Sequence, residues 1–214
     1  MRRGIEVGVV SGYAGAGALA AGLAVALGRD PIQTTSWVGL EGGAGVAWSL
    51  LLGGLLAAFT VIASRILTTR TEWGRALHEA LRPAVRDADG VTLGCMALAS
   101  GVGEELFFRG LLVPLVGVIA SSIGFGLLHQ VRGPARWVWA GWAGGMGMLF
   151  ALVFTVTGSL AGSVLAHVAI NAANLRYVRD VEPGRRFNAR TSATPPGAVP
   201  PGAAPPLARP RGRT

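Results

Sequence analysis

The sequence has no lysine, and its 214 residues include a single cysteine, Cys95. One cysteine excludes an internal disulfide and a cysteine-rich zinc site. Charged residues make up only 14% of the chain, roughly half the share that is usual in soluble domains. Because 51% of the residues are hydrophobic and the mean hydropathy is +0.49, this scarcity of charge excludes a soluble globular domain, a coiled coil and a disordered chain.

The sequence contains four long apolar runs, at residues 7–28, 42–64, 91–128 and 137–175. A membrane-spanning helix needs about 20 apolar residues, so each of the first two runs fits one span. The last two are about twice that length, and we expect them to bend near Pro114 and Gly117 and at residues 157–159. Because the first run is longer than the apolar core of a signal peptide, we expect it to be an uncleaved membrane span. The sequence therefore predicts an all-α, polytopic bundle of about six transmembrane helices.

Two segments are expected outside the bilayer. Residues 71–81 have the apolar spacing of a short interfacial helix that Pro83 stops, with His78 as a solvated surface residue. The tail, residues 183–214, holds eight of the 12 prolines and is expected to be disordered. The predicted organisation is two helices in 1–64, a loop in 65–90, a helical core in 91–177, and the tail.

The arginines indicate the orientation. With six spans, 17 of the 19 arginines fall on one side of the membrane, and the positive-inside rule places that side in the cytoplasm. We expect an integral protein of a bacterial cell membrane, with cytoplasmic N- and C-termini. The basic residues are then explained by the bilayer and its lipids, so nucleic acid is not expected as a partner. The sequence does not specify an oligomeric state.

Few ionisable residues interrupt the apolar runs, and such residues are usually functional. Glu105 and Arg109 lie one helical turn apart and can form an ion pair, whereas Glu104 has no basic neighbour three or four residues along its own helix. With a bend near Gly117, Glu105 and His129 both lie about 18 Å from the outer end of the third run, and His167 lies about 14 Å deep in the fourth. An ion pair or a lone histidine can be purely structural, but several polar groups at one depth indicate a site. The candidate residues are Glu104, Glu105, Arg109, His129, His167 and Asn171.

These residues spell three motifs in order: EExxxR from Glu104 to Arg109, FxxxH from Phe125 to His129, and HxxxN from His167 to Asn171. The ordered set, over residues 91–177, resembles the CPBP (Abi) family of intramembrane proteases, which includes the type II CAAX prenyl endopeptidases. The resemblance implies that Glu104 activates water with support from Glu105 and Arg109. It also implies that His129 and His167 orient water and substrate, and that Asn171 helps to hold the oxyanion. The implied substrate is a membrane-associated or lipidated protein or peptide.

Three alternatives stay open. Glu104, His129 and His167 form a ligand set of the kind that holds catalytic zinc. A metal-free site without a cofactor is favoured, because a zinc ion would need ligands from three separate helices. Intramembrane carboxylates and histidines also build the proton relays of transporters. A non-catalytic immunity or partner protein could retain the same residues.

Overall fold

The structure, a computed structural model, describes residues 2–133 and 135–182, and their side chains from Val7 onward. These residues form seven α-helices and one π-helical segment. In chain order they are α1 (Arg2–Ala26), α2 (Gly42–Arg70), α3 (Glu72–Val85), α4 (Gly90–Glu105), the π-helical segment (Leu106–Leu112), α5 (Val113–Leu128), α6 (Arg136–Thr157) and α7 (Ala161–Asp180).

The predicted all-α membrane bundle is confirmed. Four segments are long and apolar enough to cross a membrane: Val7–Ala26, Gly42–Arg70, Gly90–Leu128 and Arg136–Thr157. The third is 39 residues long and turns back on itself at Gly117, inside α5, where φ is 85° and ψ is 167°, so it accounts for two of the predicted spans. The six predicted spans also count α7, whose polar side chains leave it outside the four.

Both predicted bends lie at glycines. Gly117 and Gly158 have φ values of 85° and 75°, in a region that side chains with a Cβ atom rarely enter. Gly117 turns α5 back along the π-helical segment, and Gly158 ends α6 so that α7 returns beside it. The α1–α2 connection covers this second turn, where the amide of Thr34 donates to Gly158 and the amide of Leu160 donates to Ile32.

Small residues let the helices approach one another closely. A Cβ atom at Gly53 of α2 would collide with the backbone of Gly162 in α7. At the same contact, the Ser49 hydroxyl donates to Ser159 O and accepts from the amide of Gly162, at 2.8 Å each. Membrane helices commonly associate in this way, since close backbone packing replaces the hydrophobic effect. α7 is thereby fixed between α2 and α4.

Two predictions about α3 are wrong. The helix continues through Pro83 to Val85, because a proline in the last turn removes only one hydrogen bond and Val85 is buried in a cluster with Leu93 and Val178. His78 is 3% exposed and not solvated. The end of α7 covers it, with Nε2 2.8 Å from Val181 O and Tyr177 edge-on to the ring.

Burial lowers the pKa of His78, although the hydrogen bond to Val181 acts in the opposite direction. The neutral imidazole therefore donates to that carbonyl and ties α3 to the end of α7. The predicted disordered tail lies outside the described residues.

Candidate active site

Three parts of the fold carry the charged residues that interrupt the apolar runs. Glu104 and Glu105 end α4, and Arg109 lies in the π-helical segment that follows. π-helical turns within longer helices occur frequently at functional sites. His129 follows the last residue of α5 directly, and His167 lies in the middle of α7. The structure brings these five side chains together in the interior of the bundle.

The carboxylate of Glu105 is the buried centre of the group. Its Oε1 accepts hydrogen bonds from Arg109 Nη1 and from His167 Nδ1, each at 2.8 Å. Glu105 is 0% exposed and Arg109 is 1% exposed. The guanidinium also donates to Gly147 O at 3.0 Å and lies 4.4 Å from the ring centre of Phe125. Glu105 is therefore occupied: it neutralises Arg109 and orients His167.

Glu104 points to the other side of α4, where both imidazoles face it. Its Oε2 lies 3.6 Å from His129 Nε2 and 3.8 Å from His167 Nε2. This oxygen is buried and has no hydrogen-bond partner among the described residues. Oε2 of Glu105 also lacks a partner among these residues, but Arg109 and His167 bind Glu105 through Oε1. Glu104 is therefore the glutamate whose carboxylate is left for chemistry.

The hydrogen bonds of the two histidines define their tautomers. His129 Nδ1 lies 2.7 Å from the carbonyl oxygen of Phe125, and His167 Nδ1 lies 2.8 Å from the Glu105 carboxylate. Because both of these oxygens can only accept, Nδ1 carries the hydrogen in each ring. Both Nε2 atoms face Glu104, and in a neutral ring with this tautomer Nε2 carries the lone pair. The ring of Phe150 stacks on His167 at 5.0 Å and restricts its rotation.

A cavity of about 480 Å³ opens beside Glu104. Glu104 and His129 lie on its wall, together with Tyr13 of α1, Leu81 of α3 and Trp139 of α6. Most of the lining is apolar, as is usual for pockets in which a few polar groups act on a largely hydrophobic ligand. The catalytic candidates are consequently accessible to a substrate that carries apolar groups.

Asn171 lies one turn beyond His167 on α7, as the HxxxN spacing requires, and contacts α4. Its Nδ2 donates to Ser100 Oγ at 3.0 Å, and Ser100 in turn donates to Met96 O at 2.8 Å. Ser100 lies one turn before Glu104. Asn174 turns elsewhere, since its Oδ1 accepts from Ser64 and Arg65 of α2.

Sequence reasoning missed two residues of the site. Tyr13 is a polar aromatic residue within an uncharged span, so the rule that polar groups in the bilayer are functional could have identified it. The helical spacing from Glu104 could have identified Ser100 as the partner of Asn171. As to metals, no group of three or more His, Cys, Asp or Glu residues in 2–133 and 135–182 is arranged to hold an ion.

Residues 89–173 match the family model described as type II CAAX prenyl endopeptidase Rce1-like. The resemblance to the CPBP proteases is confirmed. All three motifs lie within this Rce1-like segment, whereas α1, α2 and α3 precede it. The family indicates an integral membrane protease that hydrolyses peptide bonds of protein or peptide substrates. Neither the curated proteins nor the solved structures include a match.

Proposed function

We propose that the protein is an intramembrane endopeptidase in which Glu104 activates the attacking water. The observation that carries this proposal is the unpartnered Oε2 of Glu104, a residue of the cavity wall, which faces Nε2 of His129 and Nε2 of His167. With both imidazoles neutral, three acceptor atoms converge there. A water molecule that donates to Glu104 and to one imidazole keeps its own lone pair for the carbonyl carbon of a substrate.

Each step assigns a proton and a bond. Glu104 takes a proton from water as the water oxygen forms a bond to the scissile carbonyl carbon, and the carbonyl oxygen becomes an oxyanion. The protonated Glu104 then delivers that proton to the amide nitrogen as the carbon–nitrogen bond breaks. His129 or His167 holds the second hydrogen of the water throughout. No covalent enzyme intermediate and no cofactor is required by this scheme.

The developing oxyanion needs a hydrogen-bond donor. An asparagine amide nitrogen carries two hydrogens, and the contact with Ser100 occupies one on Asn171. We assign the second to the oxyanion. Ser100 would then fix the direction in which the amide points, through its own bond to Met96.

We propose a lipidated peptide as the substrate class. The family description names CAAX prenyl endopeptidases, and the apolar wall of the cavity would accept a hydrocarbon chain while the peptide bond reaches Glu104. A pair of internally quenched peptides tests this proposal: both contain the same CAAX sequence, and only one carries a farnesyl group on its cysteine. Faster cleavage of the farnesylated peptide supports a lipid requirement, and equal rates contradict it.

The decisive variant is Glu104→Gln, which keeps the shape of the side chain but removes the base. We expect purified protein in detergent or liposomes to fold normally and to lose at least about 10²-fold in turnover, as removal of a general base generally does. Glu79→Gln is the matched control, because Glu79 is an exposed glutamate on α3. Full turnover by Glu104→Gln would refute the proposed base.

Two further experiments distinguish a protease from a transporter and from a non-catalytic partner protein. Proton or solute flux in liposomes, without cleavage of either peptide, would indicate a transporter. Membrane proteomics that shows identical processing with wild type and with Glu104→Gln would indicate a non-catalytic partner protein. Membrane proteins whose termini differ between cells with the wild-type protein and cells with Glu104→Gln would support the protease function and identify natural substrates.

A further inference from the structure

A residue outside the Rce1-like segment reaches the wall of the active-site cavity. Tyr13 lies in α1, which packs against α4 and the π-helical segment. The two helices approach closely at glycines: a Cβ atom on Gly103 would collide with the backbone of Tyr13, and one on Gly17 would collide with the backbone of Gly103. Gly103 immediately precedes Glu104. This contact therefore sets the distance between Tyr13 and the proposed base.

Tyr13 and Glu104 both line the cavity, and the phenol interacts electrostatically with the Glu104 carboxylate. Tyr13 is half-buried, whereas the residues on either side of it along α1, Gly12 and Ala14, are exposed. A phenol is a donor that can satisfy a carboxylate, and a polar group at this depth of a span usually has a function.

We propose that Tyr13 is a positioning residue: its hydroxyl donates to the Glu104 carboxylate and holds Oε2 toward His129 and His167. The proposal rests on the proposed function of Glu104. Without this donor, rotation about the side-chain bonds of Glu104 can carry the carboxylate into the open cavity. α1 thus contributes to the catalytic geometry, although it lies outside residues 89–173.

The alternative is that Tyr13 only fills space between α1 and α4. Tyr13→Phe separates the two roles, because it keeps the ring and removes the hydroxyl. Tyr177→Phe is the matched control: Tyr177 is the other tyrosine of the chain, its ring lies under Arg65 and against His78, and it does not line the active-site cavity. Both variants are expected to unfold at the wild-type temperature within about 3 °C.

The first measurement is steady-state cleavage of the farnesylated quenched peptide. A hydrogen bond to a charged group contributes enough to change a rate about 10- to 100-fold. We expect Tyr13→Phe to lower kcat by that factor with KM within about twofold, because the bond orients the base and does not bind substrate. Tyr177→Phe should leave both constants unchanged. An unchanged kcat in Tyr13→Phe would overturn the proposal.

The second measurement does not depend on turnover. The infrared difference between wild type and Glu104→Gln isolates the carboxyl bands of Glu104, and the same difference taken in a Tyr13→Phe background shows whether a hydrogen bond has been lost. We expect the bands to shift in that background and to stay in place with Tyr177→Phe. Unshifted bands refute the contact itself. Shifted bands in a protein whose Glu104→Gln variant is fully active would retain the contact and reject the role of Glu104 as base.

Discussion

Replacing Arg109 with methionine would leave the Glu105 carboxylate as a charge in the interior of the bundle. The two side chains are 1% and 0% exposed and form a 2.8 Å ion pair. Methionine matches the stem of the arginine as far as Nε but offers no donor to Glu105 or to Gly147 O. Of the two hydrogen bonds to Glu105 Oε1, only that from His167 would remain.

The magnitude follows from burial. Removing one partner of a fully buried ion pair costs about 3–5 kcal/mol of folding stability. In a chain of this length each kcal/mol corresponds to about 2–4 °C in unfolding temperature, so Arg109→Met should unfold about 6–20 °C lower than wild type. Arg86→Met is the control, since Arg86 pairs with Asp87 at the surface with both side chains about half exposed and such pairs contribute about 0–1 kcal/mol.

A second substitution separates stability from catalysis. Glu105→Gln combined with Arg109→Met removes both charges, and replacing a whole buried pair by neutral groups is often close to neutral in stability. We expect the double variant to recover most of the lost unfolding temperature. It should stay at least about 10²-fold less active, because an amide can turn its NH₂ group toward Nδ1 and no longer fixes the tautomer in which His167 Nε2 accepts from water.

The assay is thermal unfolding in detergent, followed by tryptophan fluorescence, with turnover of the quenched peptide measured on the same samples. With the single variant Glu105→Gln measured alongside them, the proteins complete a double-mutant cycle, which yields the coupling between Glu105 and Arg109. If Arg109→Met and the double variant unfold at the same temperature, the two charges are not coupled and the argument from burial is wrong. Recovered activity in the double variant would show that His167 does not need the carboxylate.

The remaining predictions concern orientation and metal. A reporter fused after Asp180 should be active only if it is of a type that works in the cytoplasm. A reporter inserted in the connection 29–41 should be active only if it is of a type that works outside the cytoplasm. The reverse pattern would invert the proposed topology. Purified, active protein should contain less than stoichiometric zinc and keep its turnover after chelation. Activity that is lost on zinc removal and restored by zinc alone would instead make Glu104, His129 and His167 ligands.

The bends and the helices were predictable because they depend on local features. A charge-free run of fixed length indicates a span, and a glycine that follows such a run indicates a turn. Gly117 and Gly158 carry the positive φ values at the two turns. The prediction failed at His78 because the end of α7, about a hundred residues further along the chain, covers it. It failed at Pro83 because Val85 packs with Leu93 and Val178 beyond the proline. Burial by a distant helix leaves no periodic signal in the segment that it covers.

For the site, spacing identified which residues share a face but not which atoms meet. The i, i+4 relation of Glu105 and Arg109 predicted their ion pair, which the structure contains. That Glu105 also binds His167 was not predictable, because the rotation of α7 about its own axis decides it. Similar depth within the bilayer indicated proximity, and the side-chain hydrogen bonds then determined that both imidazoles present Nε2 to Glu104.

Glycines at helix contacts link the local sequence to the long-range contacts of the site. The chain has 33 glycines, and those at helix contacts let backbones meet where any Cβ atom would collide, as at Gly53 and Gly162 or at Gly103 against Tyr13. Close approach brings short polar side chains such as Ser49 within hydrogen-bond reach of a neighbouring helix. It likewise brings Tyr13 to Glu104 from a helix that none of the three motifs includes. A high glycine content indicates that close helix contacts exist, but only the structure shows which residues meet at them.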